Sequence, residues 1–167
     1  MRLDDGRQAH QARWSSLSEP RTPRLILASL GDATHPRPFS EYFKKYMKKT
    51  LSIVLATVWI SASEFFRNQF LFQKNWQEHY QNMGLTFPSA NINGAIWGLW
   101  SLLLAIAILI IAKKYSLLAT TLIVWLIAFV LMWLTIGNLK VLPYSILYLA
   151  IPLSIIEVLV ATWIIKK

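Results

Sequence analysis

Four apolar runs of membrane-spanning length dominate this chain from residue 47 onward. They cover residues 50–72, 95–112, 117–136 and 141–165, and each is bounded by lysine or polar residues. A helix of about 20 residues crosses a hydrocarbon core about 30 Å thick. The pattern therefore predicts an all-α fold, a bundle of four transmembrane helices formed by residues 47–167.

The composition agrees with a lipid environment. Hydrophobic residues make up 55% of the chain and charged residues 15%, with a mean hydropathy of +0.42. Between residues 94 and 165 the only charged residues are Lys113, Lys114, Lys140 and Glu157. A protein of this size cannot hide so much apolar surface in a water-soluble core, so the lipid bilayer is the expected solvent and partner.

The positive charge is placed as in an inner-membrane protein. The formal net charge is +9, and eight of the lysines form four pairs, Lys44/Lys45, Lys48/Lys49, Lys113/Lys114 and Lys166/Lys167. With a cytoplasmic amino terminus, every pair falls on the cytoplasmic side, and only Lys74 and Lys140 fall outside. This positive-inside pattern predicts that both termini are cytoplasmic, and it argues against a nucleic-acid-binding surface.

Residues 1–46 differ from the rest of the chain. Six of the seven arginines lie in residues 1–40, whereas all ten lysines lie at or after Lys44. Four prolines and no sustained periodicity predict a basic, disordered extension. It could be a targeting peptide, an arm that touches anionic lipid, or an overextended start, since Met47-Lys-Lys-Thr before an apolar run is typical of short bacterial membrane proteins.

The first span carries polar residues on one helical stripe. The spacing i, i+4, i+7, i+11 relates Thr57, Ser61, Glu64 and Asn68. Arg67 is three residues from Glu64, within reach for an ion pair, and both lie toward the outer leaflet. Either the pair neutralises itself near the headgroups, or these residues belong to a proton, ion or ligand pathway.

The first span also permits a secretory-signal interpretation. Lysines, an apolar run and then Ser61-Ala62-Ser63 resemble a signal peptide cleaved after Ser63. The apolar character, however, continues through Phe65, Phe66 and residues 70–72. We therefore expect an uncleaved span.

The fourth span holds a second buried charge on a stripe of small residues. Ala150, Ser154, Glu157 and Ala161 follow the same i, i+4, i+7, i+11 spacing.

A carboxyl group near the bilayer centre must be protonated or partnered, and Pro152 nearby predicts a kink or an exposed carbonyl. The expected partners of Glu157 are Thr57, Ser61, Trp125 or Thr121. Arg67 lies farther out along the membrane normal, so the sequence does not predict a direct pair between Arg67 and Glu157.

The second span opens with a G-x-x-x-G motif. Gly94 and Gly98 are followed by Ser101 and Ala105 on the same stripe, and small residues let helices approach closely. We expect Gly94 and Gly98 to contact another helix of the same chain, with a dimer contact as the alternative.

The outer loop, residues 73–93, is polar with interleaved aromatic residues. Such aromatic side chains are expected to anchor at the headgroup boundary; they are Trp76, Tyr80 and Phe87, followed by Trp97 and Trp100 in the next span. Gly84 and Pro88 interrupt the loop, and Asn91 or Asn93 is expected to cap the next helix. His79 beside Glu78 has no further ligand at metal spacing, so no metal or other cofactor is expected.

The runs SEFFRNQFLFQKNWQEHYQNMGLTFP, NGAIWGLWS and IGNLKVLPY resemble the uncharacterised small four-helix membrane proteins of bacteria, those described as domains of unknown function. The resemblance implies a fold and an inner-membrane location but no activity. We expect a structural or accessory integral membrane protein, with a homo-oligomer or a membrane protein as partner. The alternative is a small transporter or proton-coupled carrier that uses Glu157 and Glu64. No catalytic constellation is present, so we do not expect an enzyme.

Overall fold

The computed structural model describes residues 39–167, and it confirms the all-α fold class. Four of its helical segments are long and apolar enough to cross a membrane, namely Phe39–Leu71, Asn91–Ile111, Leu117–Asn138 and Tyr144–Lys166. These bounds lie close to the four runs predicted from the sequence, because a hydrocarbon core requires an apolar helix of fixed minimum length. The contacts described below all lie within the compact unit Phe43–Lys167.

Five helices follow one another in chain order within residues 39–167. α1 is Phe39–Phe65 and continues as a π-helical segment, Phe66–Leu71. A short polar helix, α2 (Gln73–Asn82), and α3 (Asn91–Ile111) follow. α4 runs from Leu117 to Asn138 and contains a second π-helical segment, Leu126–Val130. A 3-10 turn, Tyr144–Ile146, leads into α5 (Leu147–Lys166).

α1 begins earlier than the sequence suggested. Residues 39–46 were expected to belong to the disordered extension, but they are helical. The missed signal is the spacing of Phe39, Tyr42, Phe43 and Tyr46, which is i, i+3, i+4, i+7 and is typical of one helical face. The rest of the predicted extension, residues 1–38, lies outside the described residues.

The other predicted helix boundaries have local causes. Ser116 caps α4, since its side chain accepts a hydrogen bond from the Ala119 amide at 3.3 Å. The expected asparagine cap of α3 is not observed, because the helix already begins at Asn91 and Ala90 occupies the cap position. Pro152 lies inside α5 without ending it.

The helices alternate in direction between two ends of the bundle. We call the end that holds the lysine pairs the lysine end, and the end that holds α2, residues 83–90 and the α4–α5 loop the loop end. α5 packs closely against α3 and the first part of α4, whereas α1 makes fewer close backbone approaches. The core between them consists of small and aliphatic side chains, Ala56, Ile60, Leu104, Ala105, Ile108, Val124, Val158 and Ala161, with Phe129.

The outward faces of the long helices are apolar. Leu103, Leu118, Leu122 and Leu134 are each more than half exposed. Exposed leucines at this density would be unfavourable in water and are suited to lipid. The chain is therefore a multi-pass membrane protein by the length, composition and exposure of its helices.

Candidate functional site

Three charged side chains meet inside the bundle. Glu64 lies on α1, Arg67 in the π segment that follows it, and Glu157 on α5; they are 6%, 5% and 1% exposed. Arg67 Nη2 donates to Glu64 Oε1, and Arg67 Nη1 lies 3.0 Å from Glu157 Oε2. Arg67 thus bridges two carboxyl groups from two different helices. We call Glu64, Arg67 and Glu157 the charge triad.

The two carboxyl groups of the triad have different surroundings. Glu64 Oε2 accepts from Asn68 Nδ2 at 2.7 Å, and Asn68 Oδ1 in turn accepts from Trp76 Nε1 of α2 at 3.1 Å. Glu157 is close to Arg67, but the guanidinium N–H is not aimed at its oxygen. Within residues 39–167 neither Glu157 side-chain oxygen receives a hydrogen bond. Glu64 is therefore held by hydrogen bonds and charge, Glu157 by charge alone.

The π-helical segments of α1 and α4 meet at this site. Arg67 belongs to the first segment and Phe129 to the second, and the Arg67 guanidinium carbon lies 5.2 Å from the centroid of the Phe129 ring. A cation over an aromatic face is favourable, more so when both groups are buried. π-helical turns are rare and occur frequently at functional sites.

The contact between Arg67 and Glu157 corrects the expectation that the two were too far apart. A count of helical rise treats side chains as if they extended level with their own Cα atoms. In a helix, however, the Cα–Cβ bond tilts toward the amino terminus. α1 begins at the lysine end, so the Arg67 side chain points toward the lysine end. α5 begins at the loop end, so the Glu157 side chain points toward the loop end. The two therefore meet between the levels of their backbones.

The partners expected for Glu157 bond elsewhere. The Trp125 indole donates to Ser154 Oγ at 2.9 Å, and the hydroxyls of Thr57 and Thr121 donate to carbonyls of their own helices. Ser61 faces the cavity described next. A residue that the sequence did not point to, Trp59, donates from Nε1 to the backbone carbonyl of Glu157 at 3.0 Å and ties α1 to α5.

A cavity of about 880 Å³ lies against the triad at the loop end. Glu64 and Arg67 are the charged residues of its wall, and Asn68 lies beside them. α2 and residues 87–91 contribute to the wall on the loop side. The aromatic members of its lining are Phe65, Phe72, Trp76, Tyr80, Phe87, Trp97, Phe129 and Trp133. The sequence placed Trp76, Tyr80 and Phe87 at the headgroup boundary. They also pack on one another, with Tyr80 and Phe87 ring centroids 5.4 Å apart, and their place relative to the headgroups stays a prediction.

The predicted small-residue stripe of α3 has two different environments. Ser101 and Ala105 are fully buried among the helices. Gly94 and Gly98 line the cavity, and a methyl group added to either would meet no atom within 4 Å among the described residues. The expected close helix contact at these glycines is therefore not observed among residues 39–167. On α5, Ser154 and Ala161 are fully buried.

The triad contains two carboxyl groups and one guanidinium cation, and these groups determine its possible net charges. With both carboxyl groups ionised its net charge is −1, and with one proton or one bound monovalent cation it is zero. A net charge buried away from water is costly, so the neutral form is strongly favoured. The arrangement is suited to take up and release a single positive charge.

No family model, curated protein or solved structure matches this chain. The described residues also contain no group of three or more histidine, cysteine, aspartate or glutamate side chains that could hold a metal ion.

Proposed function

We propose that this protein is a small proton-coupled carrier of the bacterial inner membrane, with the loop-end cavity as its binding site. The observation that carries the proposal is the position of the triad. Two of its members, Glu64 and Arg67, form part of the cavity wall, so a molecule in the cavity lies beside the groups that hold the proton.

Coupling follows from the charge count. Protonation changes the net charge of the triad from −1 to zero, which changes the field that a bound molecule experiences. Glu157 lies behind Arg67 and is not part of the cavity wall, whereas Glu64 is, so the triad exchanges its proton with the cavity at the Glu64 carboxyl group. Any molecule that binds one charge state better than the other then shifts the proton equilibrium by the same factor.

The orientation belongs to this proposal. The lysine pairs support cytoplasmic termini, which puts the cavity in the outer half of the membrane. A reporter fused after Lys167 is expected to be active only as a cytoplasmic fusion, and one inserted near Asn82 only as an external fusion. An external carboxyl terminus would contradict the orientation. We propose lipid as the surrounding partner and no catalytic activity.

A structural or accessory role is the second candidate, and one observation favours it. The Arg67–Glu157 ion pair joins α1 to α5, two helices whose backbones make few close approaches. A buried ion pair of this kind can fix the arrangement of helices without moving a proton. An accessory protein would be recovered with a membrane protein, or as a homo-oligomer, after mild solubilisation.

Labelling by a hydrophobic carbodiimide, which attacks protonated carboxyl groups in apolar surroundings, separates the two candidates. With a triad that titrates, labelling at Glu64 or Glu157 falls as the pH rises. In Glu157→Gln the remaining Glu64–Arg67 pair is neutral without a proton, so pH-dependent labelling should disappear. Glu78, an exposed carboxyl group on α2, serves as the control within the same chain. Peptide mass spectrometry after labelling in native membranes gives the result. Equal labelling of both proteins at every pH would overturn the carrier proposal and favour the accessory role.

A further inference from the structure

We infer that the cavity binds a hydrophobic organic monocation, an ammonium or amidinium group attached to an apolar or aromatic body. This inference rests on the proposed function, because it names the class of molecule that the carrier takes. It is carried by three features of the cavity, its aromatic lining, its charge and its size.

The aromatic lining suits a cation. Eight aromatic rings line the cavity, and of these only Phe129 already lies against a cation, Arg67. Trp76, Tyr80 and Phe87 form a cluster with ring centroids 5.4 to 6.5 Å apart. The faces of such rings attract ammonium and guanidinium groups, and clusters of aromatic residues bind quaternary ammonium ligands.

The charge of the cavity excludes an anion as the preferred ligand. Arg67 is the one cationic residue of the lining, and it is engaged by Glu64, Glu157 and the Phe129 ring. Lys74 and Lys140 are not part of the lining. The triad is neutral when it carries one proton, so an anion would bring the net charge of the site to −1, whereas a monocation can replace the proton and leave the site neutral. Opposite charges attract strongly where water is excluded.

The size of the cavity sets the body of the ligand. Its volume of about 880 Å³ lies at the upper end of the range for pockets that bind drug-sized molecules. A bare metal ion or a simple ammonium ion is too small to fill the cavity and would not contact most of its apolar wall. An apolar or aromatic body on the cation fills this space and buries the aromatic walls.

A proton and the organic cation then compete for one site. Each brings the charge of the triad to zero, so binding of the cation releases one proton from the triad. By linkage, the affinity for the cation rises by up to about tenfold per pH unit in the range where the proton must leave.

Three probes of matched shape test the inference on the full chain in lipid nanodiscs. They are benzyltrimethylammonium, its uncharged carbon isostere neopentylbenzene, and phenylmethanesulfonate as the anion. Quenching of tryptophan fluorescence reports binding, and calorimetry in two buffers of different ionisation enthalpy counts the protons released. We expect the cation to bind at least about tenfold more tightly than the neutral isostere, a difference of about 1.4 kcal/mol, with one proton released.

Matched variants locate the site. Tyr80→Phe keeps the aromatic ring and should keep the affinity within about threefold, whereas Tyr80→Leu removes the ring face and should lower it about tenfold. Trp163→Leu is the control, because Trp163 is an exposed tryptophan at the lysine end.

Adding phosphatidylcholine to phosphatidylglycerol nanodiscs shows whether a lipid headgroup, which carries the same trimethylammonium chemistry, occupies the cavity. Competition by that lipid would identify the headgroup as the source of the cation.

The outcomes separate this inference from the proposed function. Equal or tighter binding of neopentylbenzene or of the sulfonate overturns the cation class, while pH-dependent carbodiimide labelling would still support a proton-coupled carrier. Absence of binding by all three probes overturns the inference as well. Cation binding that is insensitive to Tyr80→Leu and releases no proton would place the cation outside the cavity and overturn it.

Discussion

The lysine-end half and the loop-end half of this bundle are built on different principles. In the lysine-end half, small and aliphatic side chains fill the space between helices, and its most buried members have no exposed surface; they are Ala56, Ile60, Ala105, Ile108, Val158 and Ala161. In the loop-end half, the same helices enclose three charged side chains and a cavity of about 880 Å³. Both π-helical segments of the described helices meet at the charge triad in the loop-end half, where Arg67 lies over the Phe129 ring.

The difference separates the part that holds the helices together from the part that can bind. Polar contacts in the lysine-end half serve packing. Trp59 bonds a carbonyl of α5, and Lys166 donates to the carbonyls of Ala112 and Tyr115 just after α3. A lysine at the carboxyl end of a helix satisfies carbonyls that have no partner within that helix. A rigid half of this kind allows the other half to keep an open cavity and an incompletely bonded carboxyl group.

The largest expected effect comes from Arg67→Met, which removes the one cation of the triad. Two carboxyl groups then lie buried without a cation, and loss of one member of a buried ion pair costs about 3–5 kcal/mol. The loss should grow as pH rises, because more of the uncompensated groups are then ionised. Chemical unfolding in detergent micelles, followed by tryptophan fluorescence, measures it.

The control for this prediction removes all three charges. The combined variant Glu64→Gln, Arg67→Met and Glu157→Gln leaves no buried charge, so it should recover most of the stability that Arg67→Met alone loses. If Arg67→Met costs less than about 1 kcal/mol at every pH, the triad does not hold α1 to α5, and the contrast between the two halves loses its electrostatic basis.

The second prediction places the same large side chain in both halves, on one stripe of α3. Ala105 is fully buried, so Ala105→Phe should destabilise the protein by about 1–3 kcal/mol or more through overpacking. Gly98 faces the cavity, so Gly98→Phe should be accommodated and should occupy the space for the ligand. Thermal unfolding in detergent and probe binding give the two readouts.

The opposite result would be informative about oligomers. If Gly98→Phe destabilises the protein as much as Ala105→Phe, the Gly94-x-x-x-Gly98 face is covered by something other than the described chain, and a second copy becomes the first candidate. Size measurement of both variants by light scattering distinguishes a lost dimer from an unfolded monomer.

The fold could be predicted because the membrane constrains it strongly. A span needs a long apolar run, and four such runs are evident in the sequence. The Glu64–Arg67 pair also follows from spacing alone, since residues three apart on a helix are neighbours. The triad as a whole could not be predicted, because the Arg67–Glu157 contact depends on the directions in which two antiparallel helices aim their side chains.

Other parts of the site have no sequence signal of their own. The π-helical segments read FRNQFL and LIAFV, with no proline or glycine to mark them. The glycines of the G-x-x-x-G motif suit a cavity wall as well as a helix contact, because both need a residue without a side chain. Trp76 and its aromatic neighbours are residue types found both at headgroups and in pockets, so the sequence alone does not show that they pack on one another beside the cavity.

The smallest expected effect tests whether satisfied polar groups stabilise the packing of α5 against its neighbours in both halves. Ser154 and Thr162 are two fully buried hydroxyl residues on α5. Ser154 accepts from the Trp125 indole and donates to the Ile151 carbonyl, both at 2.9 Å, whereas Thr162 Oγ1 has no hydrogen-bond partner within residues 39–167.

An unsatisfied buried hydroxyl costs free energy, and valine has nearly the shape of threonine without the hydroxyl. Thr162→Val should therefore stabilise the protein by about 1 kcal/mol, while Ser154→Ala should destabilise it by about the same amount, since the indole N–H loses its acceptor. Unfolding of both variants in the same detergent gives the comparison directly. A loss of stability in Thr162→Val would mean that its hydroxyl has a partner that the packing of residues 39–167 does not supply.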